Sequence, residues 1–129
     1  MEKDVEMHMK QECFVRLEDG MELFVEYYDS NKEDTVLFVH GGPGESCVSF
    51  SYFAALVSRY VNVVMVDQRG VMRSKEEHHP ERLTVQQLVD DFEDVRKKLN
   101  INNWYILGHS FGGYVAMRYV LCYPQRIKG

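Results

Sequence analysis

Hydrophobic and polar positions alternate between two periods along this chain. Cys13-Phe14-Val15-Arg16-Leu17 and Glu22-Leu23-Phe24-Val25-Glu26-Tyr27 are short strand-like runs on either side of Asp19-Gly20, a hairpin turn signal. Thr35-Val36-Leu37-Phe38-Val39 and the run from Val61 to Val66 are unbroken and rich in β-branched residues, as expected of strands buried on both faces. Trp104-Tyr105-Ile106-Leu107 is a shorter run of the same kind. Between them the period changes to that of a helix. One helix is expected around Ser49 to Tyr60. A second opens at Thr84, with Gln87 placed for a capping box and Val85, Leu88, Val89, Phe92, Val95 and Leu99 on one face. Asp90, Asp91, Glu93, Asp94, Arg96, Lys97 and Lys98 fill its other face. They read as a solvated surface, acids early and bases late to suit the helix dipole. A third helix, Tyr114 to Tyr123, is apolar enough to be buried and is ended by Pro124. The order predicts an α/β fold: a mostly parallel sheet of five strands, an antiparallel hairpin at its start, and three helices.

Two glycine-rich segments sit where this pattern puts strand ends. Gly108-His109-Ser110-Phe111-Gly112-Gly113 lies between the last strand and the third helix and reads as a nucleophile elbow. A serine there stands clear of the sheet on a strained turn. The residues two before and two after it are forced together, so Gly108 and Gly112 remove clashes, and Gly113 is expected to let the helix approach the strand. The helix start then directs free N–H groups at a developing oxyanion. His40-Gly41-Gly42-Pro43-Gly44 follows the strand through Val39, and its backbone can supply the other half of an oxyanion hole, with Gly41 and Gly42 opposite the N–H of Phe111. A third segment, Asp67-Gln68-Arg69-Gly70, ends the strand through Val66. In this fold class the triad acid follows the serine in the chain, so Asp67 and Arg69 read as braces for the loop, through a buried ion pair or backbone hydrogen bonds.

Together these motifs resemble the proline iminopeptidase branch of the α/β-hydrolase superfamily. They fall in the family's order, each after a strand, with Arg73-Ser74 following the second. The HGGPG and DQRG pair is fairly specific to that branch, whereas the elbow marks only the superfamily. The resemblance runs from about Phe14 to the end and covers the first half of a typical family member. It implies Ser110 as the acylating nucleophile, the Gly42 and Phe111 N–H groups as oxyanion donors, and release of an N-terminal residue, often proline, from small peptides. The chain departs from the family at Val71-Met72, where small residues and a glycine are usual, and at Phe111, where tryptophan is common. Both departures leave the superfamily resemblance intact and bear on the substrate. On this reading residues 1–129 are a partial α/β-hydrolase domain without its cap and C-terminal strands.

Composition narrows the partners. A chain of 129 residues is at most one domain, and a net charge of −5 argues against nucleic acid and anionic membranes. The start is charged and lacks a signal-peptide core, and no apolar run reaches the ~20 residues that span a bilayer. The three cysteines, Cys13, Cys47 and Cys122, read as buried apolar residues in a reducing, cytoplasmic setting. No metal spacing links them to the five histidines, and no cofactor is implied. Those histidines do not provide an evident base. His40 reads as a prop for the glycine loop, His109 points to the other side of the strand from Ser110, and His78 and His79 lie in a polar loop. The residues Gln125 to Gly129 look like the lead-in to a further strand, and the strand ending at Leu107 would be an open edge without it. Self-association, or a complementing C-terminal half docked at that edge, is therefore expected, as is aggregation of the chain by itself. The readings left open are a serine hydrolase acting on a peptide or ester, an esterase or lipase with the same elbow, and a catalytically inactive fragment or interaction module.

Overall fold

The computed structural model describes residues 10–42, 46–74 and 77–129. Its sheet is built from β1 (Lys10–Arg16), β2 (Glu22–Tyr28), β3 (Thr35–Val39), β4 (Asn62–Val66) and β5 (Tyr105–Gly108) in the order β1-β2-β4-β3-β5. β1 and β2 form the antiparallel hairpin, closed by Gly20 at φ 91° and by a bond from the Leu17 N–H to the Met21 carbonyl (2.7 Å). β2 is antiparallel to β4, whereas β4, β3 and β5 run parallel. A turn of 3₁₀ helix at Cys47–Phe50 leads into α1 (Ser51–Val57). α2 (Val85–Lys98) and α3 (Phe111–Cys122) complete the helices.

The period-2 alternation sorts the strand residues onto two faces. Leu37 and Val39 of β3, with Val64 and Val66 of β4, point to a core shared with Val89, Phe92 and Val95 of α2 and Val115 and Tyr119 of α3. Val36, Phe38, Val63 and Met65 point the other way, toward Ala54 of α1. The crossover from β3 to β4 thus lies on one face, and the crossover from β4 to β5 on the other, as right-handed connections require when the chain reverses direction in the sheet. The second face is only half covered. Tyr105 and Leu107 of β5 and Phe53 of α1 remain exposed and line an apolar groove of about 390 Å³ with Val36, Phe38 and Val57.

Residues 126–129 begin to pair alongside β5, as the lead-in predicts. Trp104 and Ile127 form a parallel bridge, and the Ile106 N–H donates to the Gly129 carbonyl (2.9 Å).

Three expectations are corrected. The polar side of α2 is a solvated surface only in part: Lys97 and Lys98 are exposed and Asp90 and Asp94 half-buried, but Asp91, Glu93 and Arg96 are buried. Arg96 donates to Glu93 (Nε, 3.0 Å) and to the Ile101 carbonyl (2.6 Å), and the Tyr119 hydroxyl donates to the other Glu93 oxygen (2.5 Å). These groups are buried because they clamp α2 to α3 and to the turn before β5. Helix α3 is buried on one side only, with Tyr114, Met117 and Leu121 exposed. Of the three cysteines only Cys47 is buried, while Cys13 and Cys122 are exposed free thiols. Among the described residues no helix is long and apolar enough to cross a membrane.

Candidate active site

β3 and β5 are parallel neighbours with Val39 opposite Gly108, so the two glycine segments leave the sheet side by side at its carboxyl edge. That edge is where open α/β sheets bind ligands. The His109 N–H donates to the Val39 carbonyl (3.2 Å), extending the ladder one residue into the turn. Ser110 follows at φ 58°, ψ −124°, a conformation that costs a non-glycine residue about 1–3 kcal/mol. Its side chain is exposed and its backbone opens α3. The Gly112 N–H closes the turn onto the His109 carbonyl (2.9 Å), and the Gly113 N–H onto that of Ser110 (2.9 Å). The N–H of Phe111 stands at the first position of α3, where a helix offers no intrahelical acceptor.

Glycine is required here for measurable reasons. A Cβ on Gly108 would sit 2.3 Å from the Gly112 carbonyl oxygen. A Cβ on Gly112 would sit 2.3 Å from the Val39 oxygen and 2.6 Å from that of His40. α3 therefore starts in direct backbone contact with the end of β3. Gly113 is different: its nearest neighbour would be 3.9 Å away, so the close approach assigned to it belongs to Gly112.

On the β3 side, Gly41 is buried and Gly42 has φ 139°, a region that disfavours side chains. The rest of the motif, Pro43 and Gly44, lies outside the described residues. His40 is buried and fully engaged. Its Nε2 accepts from the Gln68 N–H (3.0 Å), so the ring proton is on Nδ1, which donates to the Gly41 carbonyl (2.6 Å). The Gln68 amide returns a bond to the His40 carbonyl (2.9 Å). A histidine committed at both nitrogens is a brace, in agreement with its reading as a prop.

Asp67 and Arg69 are braces too, but not for each other. Asp67 is fully buried. Its Oδ1 accepts from Ser46 Oγ (2.5 Å) and the Cys47 N–H (2.9 Å), and its Oδ2 accepts from Arg73 Nε (2.7 Å) and the Arg73 N–H (3.2 Å). Burial pushes this carboxyl up, but the bonds from Arg73, Ser46 and Cys47 outweigh it and hold it down at about 2. Arg73 also donates to Glu26 (2.6 Å) and lies over the Phe24 ring (4.1 Å). Arg69 is held bidentately by Asp91 (2.9 and 2.8 Å) and further by Glu77 (2.7 Å) and Asp19 (2.9 Å), joining the first hairpin, the β4–α2 loop and α2. The charged partners Glu26 and Asp91 were not assigned from the sequence, because they come from distant elements, whereas Arg73 lies six residues after Asp67 in the same loop.

No other histidine is placed to assist Ser110 among the described residues. The His109 ring packs edge-on to Phe50 (6.1 Å), His78 is exposed, and the exposed His79 faces Glu81 (3.3 Å). His8 lies outside the described residues. Among the described residues no group of His, Cys, Asp and Glu is arranged to hold a metal ion.

A family model of the alpha/beta hydrolase fold matches residues 34–129. The chain is 38% identical over 96 residues to proline iminopeptidase from Neisseria meningitidis, covering 73% of this chain and 30% of that protein. It is also 38% identical over 97 residues to 1-acylglycerol-3-phosphate O-acyltransferase from Arabidopsis thaliana, covering 73% of this chain and 23% of the relative. Among solved structures, the epoxide hydrolase VrEH1 from Vigna radiata superposes with a TM-score of 0.82 at 26% identity, over 95% of this chain and 39% of that one. The chain thus spans less than two-fifths of the length of each of these proteins. With its five-stranded mixed sheet and its elbow at the end of β5, it belongs to the α/β-hydrolase family, on the side that includes the proline iminopeptidases.

Proposed function

We propose that this chain carries the nucleophile and oxyanion hole of a serine hydrolase of the proline iminopeptidase type. The observation that supports this most is the strained, exposed Ser110 beside two sets of backbone donors at one sheet edge. In this reading Ser110 Oγ attacks the substrate carbonyl. The new C–O bond pushes the carbonyl electrons onto oxygen, where the N–H groups of Phe111 and Gly42 stabilise the charge, with Gly41 shaping the loop. Collapse expels the amine or alcohol and leaves an acyl-enzyme on Ser110, which water then hydrolyses. Gly108 and Gly112 hold the turn, and Gly113 supports the start of the helix.

The proton on Ser110 needs a base, and the described histidines are engaged elsewhere or face away. The base and the acid that orients it are assigned to a complementing C-terminal segment or chain, docked beside residues 126–129 and on the half-covered face. Without them, only the oxyanion-hole share of catalysis is expected, roughly 10³–10⁴-fold over water. The aminopeptidase assignment rests on the HGGPG and DQRG pair and on the iminopeptidase relative, and with it a soluble peptide substrate in the cytoplasm. A second reading, transfer of the same acyl group to an alcohol, draws on the acyltransferase relative.

The test is turnover of prolyl-4-nitroanilide and of a 4-nitrophenyl ester by the chain together with a candidate second half, against the same pair carrying Ser110→Ala. Ser110-dependent release of nitroaniline supports the iminopeptidase assignment. Ester cleavage alone points to the esterase reading. Turnover that survives Ser110→Ala in both assays removes the nucleophile.

A further inference from the structure

The sheet has a second edge, at the end opposite β5. β1 is the outermost strand in the order β1-β2-β4-β3-β5, and among the described residues its ladder is with β2 alone. Only Val15 of this strand is buried. Its register with β2 runs from Lys10 to Arg16 without a bulge, and it holds no proline or glycine. Phe14 is 52% exposed and packs edge-on against Phe24 (5.5 Å). Such an edge is a template for another strand unless charge, proline or a bulge blocks it.

The hairpin fixes which backbone groups face outward. The Leu17 N–H donates to the Met21 carbonyl, and the register carries this alternation along the strand, so Val15, Cys13 and Gln11 turn their N–H and C=O groups to β2. Glu12, Phe14 and Arg16 turn theirs to the open side. An antiparallel twofold pairing centred on Phe14 uses all of these outward groups. It sets Phe14 opposite the partner's Phe14, Glu12 opposite the partner's Arg16, and Cys13 opposite the partner's Val15. The exposed carboxylate and guanidinium then meet on both sides of an aromatic contact. Neighbouring registers do not match. Centring on Cys13 sets Lys10 against the partner's Arg16. Centring on Glu12 sets two carboxylates face to face, and centring on Val15 sets Glu12 against the partner's Glu18.

We propose that β1 is a self-association surface, on which a second copy of this chain adds its own β1 antiparallel about Phe14 to make one continuous sheet across a twofold axis. The charge order of the strand selects this occupant. Glu12 and Arg16 stand at equal distances on either side of Phe14, so the strand complements itself. The edge lies at the far side of the sheet from residues 126–129, so a second half docked there and this pairing are compatible. The pairing does not rest on the reading of Ser110.

The test is sedimentation velocity of the 129-residue chain over a range of concentrations, with amide hydrogen exchange as the site-resolved readout. The parent is expected to form a dimer. The amides of Glu12, Phe14 and Arg16 are expected to slow as it forms, while β2 holds those of Cys13 and Val15 throughout. Glu12→Arg and Arg16→Glu are each expected to weaken self-association by about tenfold or more, because both ion pairs become like-charge pairs. Mixed together, the two variants regain both pairs and are expected to dimerise with each other about as strongly as the parent. If either variant fails to fold, Phe14→Lys, which sets like charges opposite each other on the axis, takes its place and is expected to be monomeric. A parent that stays monomeric would overturn the proposal. So would a dimer undiminished in the variants, or charge variants that weaken but do not recover on mixing. Protection centred on Phe53 and Leu107 would place the contact on the half-covered face and overturn it as well.

Discussion

At the end of β5 the chain turns on glycines, and at the end of β4 it turns on charges. The elbow is fixed by what is missing: Gly108 and Gly112 let the Gly112 carbonyl and the ends of β3 come within distances that a methyl group would forbid. The β4 loop is fixed by what is present. Asp67 gathers Ser46, Cys47 and Arg73, and Arg69 gathers Asp91, Glu77 and Asp19. The first arrangement is steric and indifferent to pH, and tolerates no side chain. The second is electrostatic and depends on ionisation. Both converge on the same edge, the elbow by shaping the turn at Ser110, the charged loop by holding the end of β4 to Ser46 and Cys47.

The largest expected effect comes from breaking the charged side. Arg69→Ala leaves Asp91 buried with its bidentate partner gone, and Asp19 and Glu77 facing it. Urea unfolding at neutral pH is expected to show a loss of about 3–5 kcal/mol, enough to unfold a marginal chain. On the steric side, Gly112→Ala is expected to cost about 3 kcal/mol by driving α3 off the end of β3. A loss under about 1 kcal/mol in that variant would mean that the close contact is not what holds the turn.

The pH dependence separates the two regions next. Asp67 sits at about 2 in the folded chain against an ordinary value of 3.8. A depressed carboxyl contributes stability that is fully present above its unfolded value and is lost as pH falls through the folded one. Between about pH 5 and pH 2 the stability gap between the parent and Asp67→Asn is expected to shrink by about 2 kcal/mol. Gly112→Ala is expected to keep a constant offset over the same range. The smallest effect is a gain. Gly113 has room for a Cβ and lies within α3, so Gly113→Ala is expected to stabilise by about 0.5–1 kcal/mol. Opposite signs for Gly112→Ala and Gly113→Ala would show that the elbow's glycines have separate roles.

What the sequence made legible follows the same division. Runs such as Thr35–Val39 and the strand to Val66 declare themselves because a strand buried on both faces needs no partner to be recognised. The elbow declares itself because its constraint is local: residues 108 and 112 are near one another in the chain as well as in space. Asp91, Glu93 and Arg96 were misplaced on a solvated face for the opposite reason. Their charge pattern suits an exposed helix, and only the arrival of Arg69 and Tyr119 from other elements makes them interior. The capping box at Thr84 was half right. Thr84 accepts the Gln87 N–H, but the Gln87 side chain turns to Asp91 (3.0 Å), drawn by the same buried cluster. The separate anchors of Asp67 and Arg69 were equally hidden, since two residues so near in one loop gave no sign that they point to different partners.

The central claim is that this edge of the sheet presents Ser110 as a nucleophile. Labelling with an alkyl fluorophosphonate, read by mass spectrometry at the peptide containing Ser110, tests it most directly, on the chain alone and with a candidate second half. The account predicts slow modification of the chain alone, a large acceleration with the second half, and none in Ser110→Ala under either condition. Absence of Ser110 modification in both samples, or equal labelling in Ser110→Ala, would contradict it.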